Sequence, residues 1–532
     1  MSTKVKILIP IFLALILAGG IFIGTRLSTK NSNSTSLFIY PRTDKISNIL
    51  SYIESEYVDS VSLKKLNEDA IVAMLKDLDP HTVYIPAEEL QEVNEPLEGN
   101  FSGIGVQFNL TNDTVVIINT IPNGPSARIG ILAGDRIIKV NDSTVSGRKF
   151  SSEAIVKKLK GPRETKVQVS ILRHGVKDLL KFTITRDNIP LYSIDIAYML
   201  NDNTGYIKIN QFSRTTFDEF TKAIGKLRKK GMKKLIVDLR DNGGGFLDAA
   251  TNIADQFLPA GKLIVYTKGK SRRKESIYAT AEGICEKDKI EILIDEYSAS
   301  ASEILAGAIQ DNDRGKIIGR RSFGKGLVQE QLPLSDGSAL RITVARYYTP
   351  TGRCIQKPYN KGNENYFLEL STRFKHGEFL KADSIKFNDS LKYTTPGGNI
   401  VYGGGGIMPD IFVPIDSVGI TDYLMAVRNK GLIYNYAFEY TDSNRDKLKK
   451  FKTWQEINKF LDQVNLLNRF ITYADKNGVK NNKIQVEISE KIIIVQLKAY
   501  IARNILDNEG FYPIIREIDA TLQKSIEEIS KD

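Results

Sequence analysis

The spacing of hydrophobic and polar positions changes several times along the chain, and each change marks a candidate domain. An uncharged apolar run over residues 7–24 opens the sequence, preceded by Lys4 and Lys6. As a helix rising about 1.5 Å per residue, this run would reach roughly 27 Å, close to the hydrocarbon thickness of a bilayer. We therefore expect a transmembrane anchor over residues 1–27 and a polar linker over 28–40. A cleaved signal peptide is the competing interpretation.

Two further patterns follow the linker. Apolar residues at helical spacing predict helices within residues 41–96, the second ending before Pro80. From residue 97 the pattern changes to short alternating strands bounded by glycine and Asn-Asp turns. This pattern predicts a compact β-rich module over residues 97–188.

Strands and helices alternate from about Leu191 onward. Such alternation predicts an α/β core with mostly parallel strands over residues 189–415. Residues 416–532 have a charged, amphipathic pattern typical of helices. The predicted strands of the core are 205–212, 234–240, 262–267 and 289–295, and its predicted helices are 217–230, 246–258 and 300–310.

Composition narrows the class of protein. A chain of 532 residues, 42% hydrophobic and 26% charged, is expected to be globular and to form several domains. Its net charge of +11 comes from 74 basic and 63 acidic residues that are interspersed, which argues against nucleic-acid binding. Cys285 and Cys354 could pair in an oxidising compartment, but two thiols form no disulfide framework. The three histidines, His81, His174 and His376, have no metal-ligand spacing, so we expect no metal and no cofactor.

The segment 294–310 (IDEYSASASEILAGAIQ) combines an apolar strand, a turn of small residues and an amphipathic helix. A serine at such a turn, here Ser300, exposes its hydroxyl at a helix N-terminus, where amides and dipole favour developing negative charge. The alternative is structural, because Ser300 and Glu303 also form an S-x-x-E capping box. The residues alone leave both interpretations open.

A nucleophilic serine needs a base, and the histidines lie in turns or polar stretches that suit a triad poorly. A lysine can accept the serine proton if burial lowers its pKa. Lys325 is flanked by glycines that allow close backbone approach. Gln329 lies four residues further on, so it shares a face with Lys325 in either a strand or a helix.

A third candidate is the glycine turn in DLRDNGGGF (238–246), between a predicted strand and a predicted helix. Successive glycines expose backbone N–H groups of the kind that form an oxyanion hole. Phosphate or thioester binding would suit the bare motif equally well.

Taken together, these segments resemble the catalytic core of the carboxyl-terminal processing proteases, also called tail-specific proteases. The resemblance runs in order over residues 40–415 and implies a crotonase-like α/β fold. In that family the serine three positions before the glutamate is the nucleophile, a lysine is the general base, a glutamine supports the lysine and the glutamate orders the site. The resembling segments are LDPHTVYIP (78–86), DLRDNGGG (238–245), SASASEI (298–304), RSFGKGLVQ (321–329), YYTPTGRCIQ (347–356) and GGGIMPDIFVP (404–414). The implied site residues are Ser300, Lys325, Gln329 and Glu303, with Ala301, Gly244 and Gly245 as oxyanion-hole donors.

The β-rich module resembles a PDZ domain. FSGIGVQF (101–108) resembles the PDZ loop that binds a peptide's terminal carboxylate, and SARIGILAGDRIIKVND (126–142) resembles the segment that follows it. The resemblance implies that a peptide tail adds as a strand to the sheet edge while backbone amides hold its carboxylate. The residues implied at this loop are Gly103, Ile104, Gly105 and Val106.

The resulting hypothesis is a serine endopeptidase of the bacterial cell envelope that takes proteins with free C-termini as substrates. A single-pass anchor would hold it at the inner membrane, with its catalytic part in the periplasm or otherwise outside the cytoplasm. A homo-oligomer or an adaptor protein would be a further partner. Residues 357–403 and 416–532 depart from the shorter members of the family. An inactive PDZ scaffold and an acyl-CoA enzyme are the alternatives, although an export signal argues against CoA chemistry.

Overall fold

The computed structural model describes residues 45–111, 113–147, 150–173, 175–385 and 388–531. The predicted anchor and linker lie outside these residues, as does His174. Within the described ranges, no helix is both long and apolar enough to cross a membrane.

The chain divides between Ile71 and Val72 into two compact units. The first unit contains helix Lys45–Glu56 and most of helix Leu63–Leu75, and neither of these two helices contains a buried residue. The second unit contains all the elements that follow.

A six-stranded sheet forms the centre of the second unit. Its first two strands are antiparallel and every later neighbour is parallel, as the alternation of strands and helices predicted. The central strands are apolar on both faces because both faces are covered. In spatial order the strands are Ile194–Met199, Thr204–Ile209, Lys234–Asp238, Lys289–Ile294, Lys316–Gly319 and Ile411–Phe412.

Helices cover both faces of this sheet. On one face, helices Thr216–Lys229, Leu247–Asp255 and Ala301–Asp311 share a buried hydrophobic core with the strands. On the other face, helix Ala520–Ser530 buries Leu522 and Ile529 in a cluster with strand residues of the sheet. The last described helix of the chain is therefore part of the α/β core.

A second, antiparallel sheet lies beside the first. Strand Leu263–Lys268, which was predicted within the parallel core, belongs to this second sheet instead. Its apolar run fits either sheet, and the structure pairs it with the end of the long strand that contains the two tyrosines of the YYTPTGR segment. The other strands of this sheet are Val83–Ile85, Glu275–Tyr278, Leu327–Pro333 and Ala339–Tyr348.

The β-rich module is inserted between helix Ala87–Glu98 and the parallel sheet. Strands Asn100–Gly103 and Asp187–Pro190 pair antiparallel, so the chain enters and leaves the module at one place. The rest of the module comprises strands Val106–Thr111, Thr114–Thr120, Arg136–Val140, Ser143–Thr144, Lys166–Leu172 and Leu180–Thr185, with helices Pro125–Arg128 and Ser152–Leu159.

Two additional regions complete the unit. Within residues 357–403, helix Asn363–Lys375 (the insertion helix) is followed by the 3₁₀ turns Ala382–Ser384 and Asp389–Leu391 and the hairpin Lys392–Thr394 with Ile400–Tyr402. The C-terminal region is helical, as predicted, and most of its helices share one hydrophobic cluster. These helices are Asp422–Asn429, Leu432–Ser443, Arg445–Leu448, Trp454–Asp462, Leu466–Lys476, Lys483–Leu506 and Asn508–Ile515, with a 3₁₀ turn at Arg516–Ile518. Cys285 and Cys354 are both free thiols.

Candidate active site

Ser300 lies in the turn between strand Lys289–Ile294 and helix Ala301–Asp311. Its backbone has φ +55° and ψ −113°, a left-handed conformation that is costly for a residue with a side chain. The conformation places Ser300 in the wall of a cavity of about 700 Å³. Such a strained turn persists only where neighbouring groups hold it.

Glu303 is the first neighbouring group that stabilises this turn. Its fully buried carboxylate accepts hydrogen bonds from Ser300 N–H at 2.8 Å and from Lys325 N–H at 2.9 Å, both at the same oxygen. The other oxygen accepts from Gly324 N–H at 2.7 Å and from the Ser322 hydroxyl at 2.5 Å. Burial raises the pKa of Glu303 to about 7, although these hydrogen bonds oppose the rise. One carboxylate thus ties the backbones of Ser300 and Lys325 together.

Tyr347 is the second group that stabilises the turn, and the sequence did not single it out. Its buried hydroxyl lies 2.7 Å from the Lys325 carbonyl oxygen and 3.1 Å from the Ser300 carbonyl oxygen. The peptide units of Ser300 and Lys325 are therefore bound at their N–H groups by Glu303 and at their carbonyls by Tyr347. The only signal in the sequence was the position of Tyr347 at the start of the YYTPTGR segment.

The side chain of Lys325 extends toward Gln329. Lys325 Nζ donates a hydrogen bond to Gln329 Oε1 at 3.0 Å, as the four-residue spacing predicted. Burial lowers the pKa of the Lys325 amine, and the nearby charge of Arg341 lowers it further. The negative charges of Asp79 and Glu303 oppose this shift by raising the pKa of the amine. The amine is thereby moved toward its neutral form.

The glycine turn packs directly against Ser300. A Cβ atom on Gly244 would lie 2.7 Å from the Ser300 Cβ, and one on Gly245 would lie 2.0 Å from the Phe212 carbonyl oxygen, so both positions require glycine. Gly244 N–H donates to Asn242 Oδ1 at 2.9 Å. This expected oxyanion-hole donor is therefore already hydrogen-bonded within the protein. Among the backbone hydrogen bonds found in the described part of the chain, none uses the N–H of Gly245 or Ala301.

Three of the four predicted catalytic residues line one cavity. Ser300, Lys325 and Gln329 line it together with the glycine turn 243–245. The cavity lining also contains charged residues of both signs, Arg214, Arg341, Glu98 and Asp248, and Arg214 pairs with Glu98 at 2.9 Å. Glu303 and Ala301 lie behind its wall, where Glu303 is fully buried.

His81 also contributes to the site, which the sequence did not predict. Gln329 Nε2 donates a hydrogen bond to the His81 carbonyl, which orients the amide whose oxygen holds Lys325. Burial, followed by the positive charge of Lys325, lowers the pKa of His81 to about 4, so the ring is neutral. His376 is exposed at the end of the insertion helix, as expected for a histidine with no part in the site.

A second cavity of about 440 Å³ lies along the β-rich module. The predicted loop residues Gly103, Ile104, Gly105 and Val106 all line it. Its other walls are mainly apolar, except for Lys160 and the acidic residues Glu92 and Glu95. The remaining lining residues include Phe101, Phe108, Val156, Leu159 and Leu191.

Helix Ala87–Glu98 borders both cavities. Asn94 and Leu97 line the cavity that contains Ser300, whereas Glu92 and Glu95 line the cavity of the β-rich module. Lys160 Nζ lies 2.5 Å from Glu95 Oε2, an ion pair that joins the module to this helix.

Comparisons with protein families agree with this architecture. Residues 203–362 match the model of peptidase family S41, and residues 102–188 match the model of the PDZ domain. Residues 423–507 match a family of unknown function. The fold and the matched domains define a peptidase that carries a PDZ domain.

Individual relatives make the family specific. The chain is 36% identical over 335 residues to the carboxy-terminal-processing protease of Bartonella bacilliformis, an overlap of 62% of this chain and 75% of the relative. It is 31% identical over 354 residues to the carboxy-terminal processing protease CtpB of Bacillus subtilis, covering 66% of this chain and 71% of the relative. The solved photosystem II D1 C-terminal processing protease is 25% identical, covering 72% of this chain and 90% of that one, with a TM-score of 0.37. This chain belongs to peptidase family S41, the carboxy-terminal processing serine proteases, which confirms the predicted family.

Proposed function

We propose that this protease selects substrates by their free C-terminal tails and cleaves them through an acyl-enzyme intermediate. Ser300 is the nucleophile and Lys325 is the general base. The observation that carries this proposal is the shared support of the two residues, because one Glu303 oxygen accepts from both of their N–H groups. A structural helix cap would need only the Ser300 half of that arrangement.

The proposed chemistry uses groups of the cavity that contains Ser300. The neutral Lys325 amine accepts the proton of the Ser300 hydroxyl as that oxygen attacks the substrate carbonyl. The N–H groups of Ala301 and Gly245 then stabilise the negative charge that develops on the substrate oxygen. The ammonium of Lys325 returns its proton to the leaving amine, and water later hydrolyses the ester by the same base. Gln329 holds the amine in place throughout.

Tail selection is assigned to the PDZ groove. The loop 103–106 supplies backbone amides for a terminal carboxylate, and the apolar walls of the groove accept the last side chains of the tail. A captured tail raises the effective concentration of its protein at the catalytic cavity. We assign the enzyme to the bacterial cell envelope, on the strength of the apolar run over residues 7–24.

The test compares Ser300→Ala with the unaltered enzyme on two peptides that differ only at the C-terminus, one a free acid and one an amide. Ser300→Ala should lower kcat by roughly a thousandfold or more while thermal stability and tail binding persist. The unaltered enzyme should cleave the free acid about tenfold faster than the amide, because the amide lacks the charge that the loop binds.

Each alternative predicts a different result. If Ser300 served only as a helix cap, Ser300→Ala would lose about 1 kcal/mol of stability and keep its turnover. An inactive scaffold would bind the tail without hydrolysing either peptide. Equal cleavage of the two peptides by the unaltered enzyme would remove the tail-recognition part of the proposal.

A further inference from the structure

The insertion 357–403 packs directly behind the loop that carries Lys325. Its first residue, Lys357, donates its backbone N–H to the Gly324 carbonyl at 2.9 Å. The Lys357 side chain is only 3% exposed, and its ammonium lies 3.8 Å from the ring centre of Phe323 and 3.0 Å from Glu369 Oε2. The residues just before Lys325 are therefore enclosed by the insertion.

The insertion helix also binds this loop through Arg373. The buried guanidinium donates to the Arg321 carbonyl at 2.7 Å and to the Ser322 carbonyl at 3.0 Å. Glu378 fixes the guanidinium at 2.9 Å and pairs with Arg321 at 2.6 Å. A buried guanidinium with two backbone acceptors and a carboxylate partner is a rigid contact, because moving it would leave a desolvated charge unpaired.

A second contact of the insertion helix reaches the support of the Lys325 amine. The Tyr366 hydroxyl lies 2.9 Å from His81 Nε2, and its ring meets the His81 ring edge-on at 5.3 Å. The carbonyl of the same His81 accepts the hydrogen bond from Gln329, whose side-chain oxygen accepts from Lys325. The contacts thus run without a gap from Tyr366 through His81 and Gln329 to the Lys325 amine.

We propose that the insertion helix is a positioning element for the general base, with Tyr366 as its positioning residue. The inference rests on the proposed Ser–Lys mechanism and assigns the insertion a role in it. Tyr366 is 2% exposed and does not line the cavity that contains Ser300, so it does not touch substrate. It fixes His81, and His81 fixes the amide of Gln329.

The positioning role predicts a specific kinetic defect. Tyr366→Phe keeps the ring that packs on Lys357 and Phe323 but removes the hydroxyl that binds His81. We expect kcat to fall about tenfold with KM unchanged, because a small displacement of a catalytic group costs rate and not ground-state binding. The rate at which a fluorophosphonate labels Ser300 should fall by a similar factor, since that reaction needs the base and no tail recognition.

Tyr359→Phe is the matched control. Tyr359 lies in the same insertion, but its hydroxyl accepts from exposed Arg346 at 3.0 Å and has no contact in the His81 series described above. This variant should have the kcat, KM and labelling rate of the unaltered enzyme. Arg373→Lys is a second test, because it keeps the charge beside Glu378 and loses the paired contacts to the loop carbonyls. It should also lower kcat and the labelling rate.

The possible outcomes distinguish the positioning role of the insertion helix from the proposed Ser–Lys mechanism. Normal kcat and normal labelling in both Tyr366→Phe and Arg373→Lys, with Ser300→Ala inactive, would overturn the positioning role and leave the mechanism intact. A change in KM alone would also overturn it. Activity retained by Ser300→Ala would instead refute the mechanism. If Tyr366→Phe fails to fold, the result for Arg373→Lys decides.

Discussion

Glu303 contacts both residues of the proposed Ser–Lys pair. The S-x-x-E spacing predicted that Glu303 accepts from the Ser300 N–H, and it does so at 2.8 Å. The same oxygen also accepts from the Lys325 N–H. No local spacing could predict this contact, because Glu303 and Lys325 lie in different segments of the chain. The hydrogen bond of the helix cap and the hydrogen bond from the Lys325 loop therefore meet at one carboxylate oxygen.

Local reasoning found the residues whose partners are close in sequence. The Lys325–Gln329 contact follows from a spacing of four residues, whereas Tyr347 and His81 reach the site only through tertiary packing. Nothing in the pattern around either residue distinguishes it from an ordinary core tyrosine or a histidine in a turn. Contacts between segments that are far apart in sequence are the part of the site that could not be predicted from a single sequence.

The ionisations of Lys325 and Glu303 predict the pH dependence of activity. Burial lowers the pKa of Lys325 and raises that of Glu303 to about 7. In the proposed mechanism the active forms are the neutral Lys325 amine and the Glu303 carboxylate that accepts four hydrogen bonds, so both groups must lose a proton. The logarithm of kcat/KM should rise with a slope of two below the lower pKa, with a slope of one between the two values, and then level off.

The measurement is a profile of kcat/KM on one peptide from about pH 5 to about pH 10. A slope of one throughout would show that the ionisation of Glu303 is not required. Lys325→Arg should be inactive at every pH, because a guanidinium stays protonated. Lys316→Arg, at a largely exposed lysine, serves as its control and should be active.

At the scale of elements, the alternation of strands and helices correctly predicted the parallel sheet and the helices on one of its faces. Strand Leu263–Lys268 was assigned to the wrong sheet because an apolar run reports burial and not the identity of its neighbour. The antiparallel pair Leu327–Pro333 and Ala339–Tyr348 was not predicted, since the segment around Lys325 fitted a strand or a helix equally well. Sheet membership is set by long-range pairing.

The C-terminal helix Ala520–Ser530 should be needed for the stability of the protease core. Ile529 is fully buried against the main sheet, so Ile529→Ala should destabilise the protein by about 2–5 kcal/mol. Ile484→Ala is the control, because Ile484 is 71% exposed and its truncation should change stability by less than about 0.5 kcal/mol. Urea unfolding followed by circular dichroism compares the two. Equal midpoints for the two variants would show that burial of the Ile529 side chain does not stabilise the protein.

On the scale of the whole molecule, the sequence identified the two additional regions but not their places. An amphipathic helix shows that one face is covered without showing what covers it. The structure puts the insertion helix behind the Lys325 loop and the last C-terminal helix on the main sheet. The C-terminal region also reaches the PDZ domain, where Arg136 lies 3.2 Å from Asp442. Both regions are thereby built into the enzyme.

Helix Ala87–Glu98 forms a wall of two cavities, and this has a thermodynamic consequence. If a ligand in either cavity displaces this helix, the two binding equilibria are linked, and the occupancy of one cavity changes the ligand affinity of the other. A peptide boronate bound reversibly at Ser300 should change the Kd of a labelled tail peptide by roughly fivefold or more. Fluorescence anisotropy with and without the boronate measures this change, and identical Kd values would contradict it. Because the coupling free energy is the same in both directions, a saturating tail must shift the affinity for the boronate by an equal factor.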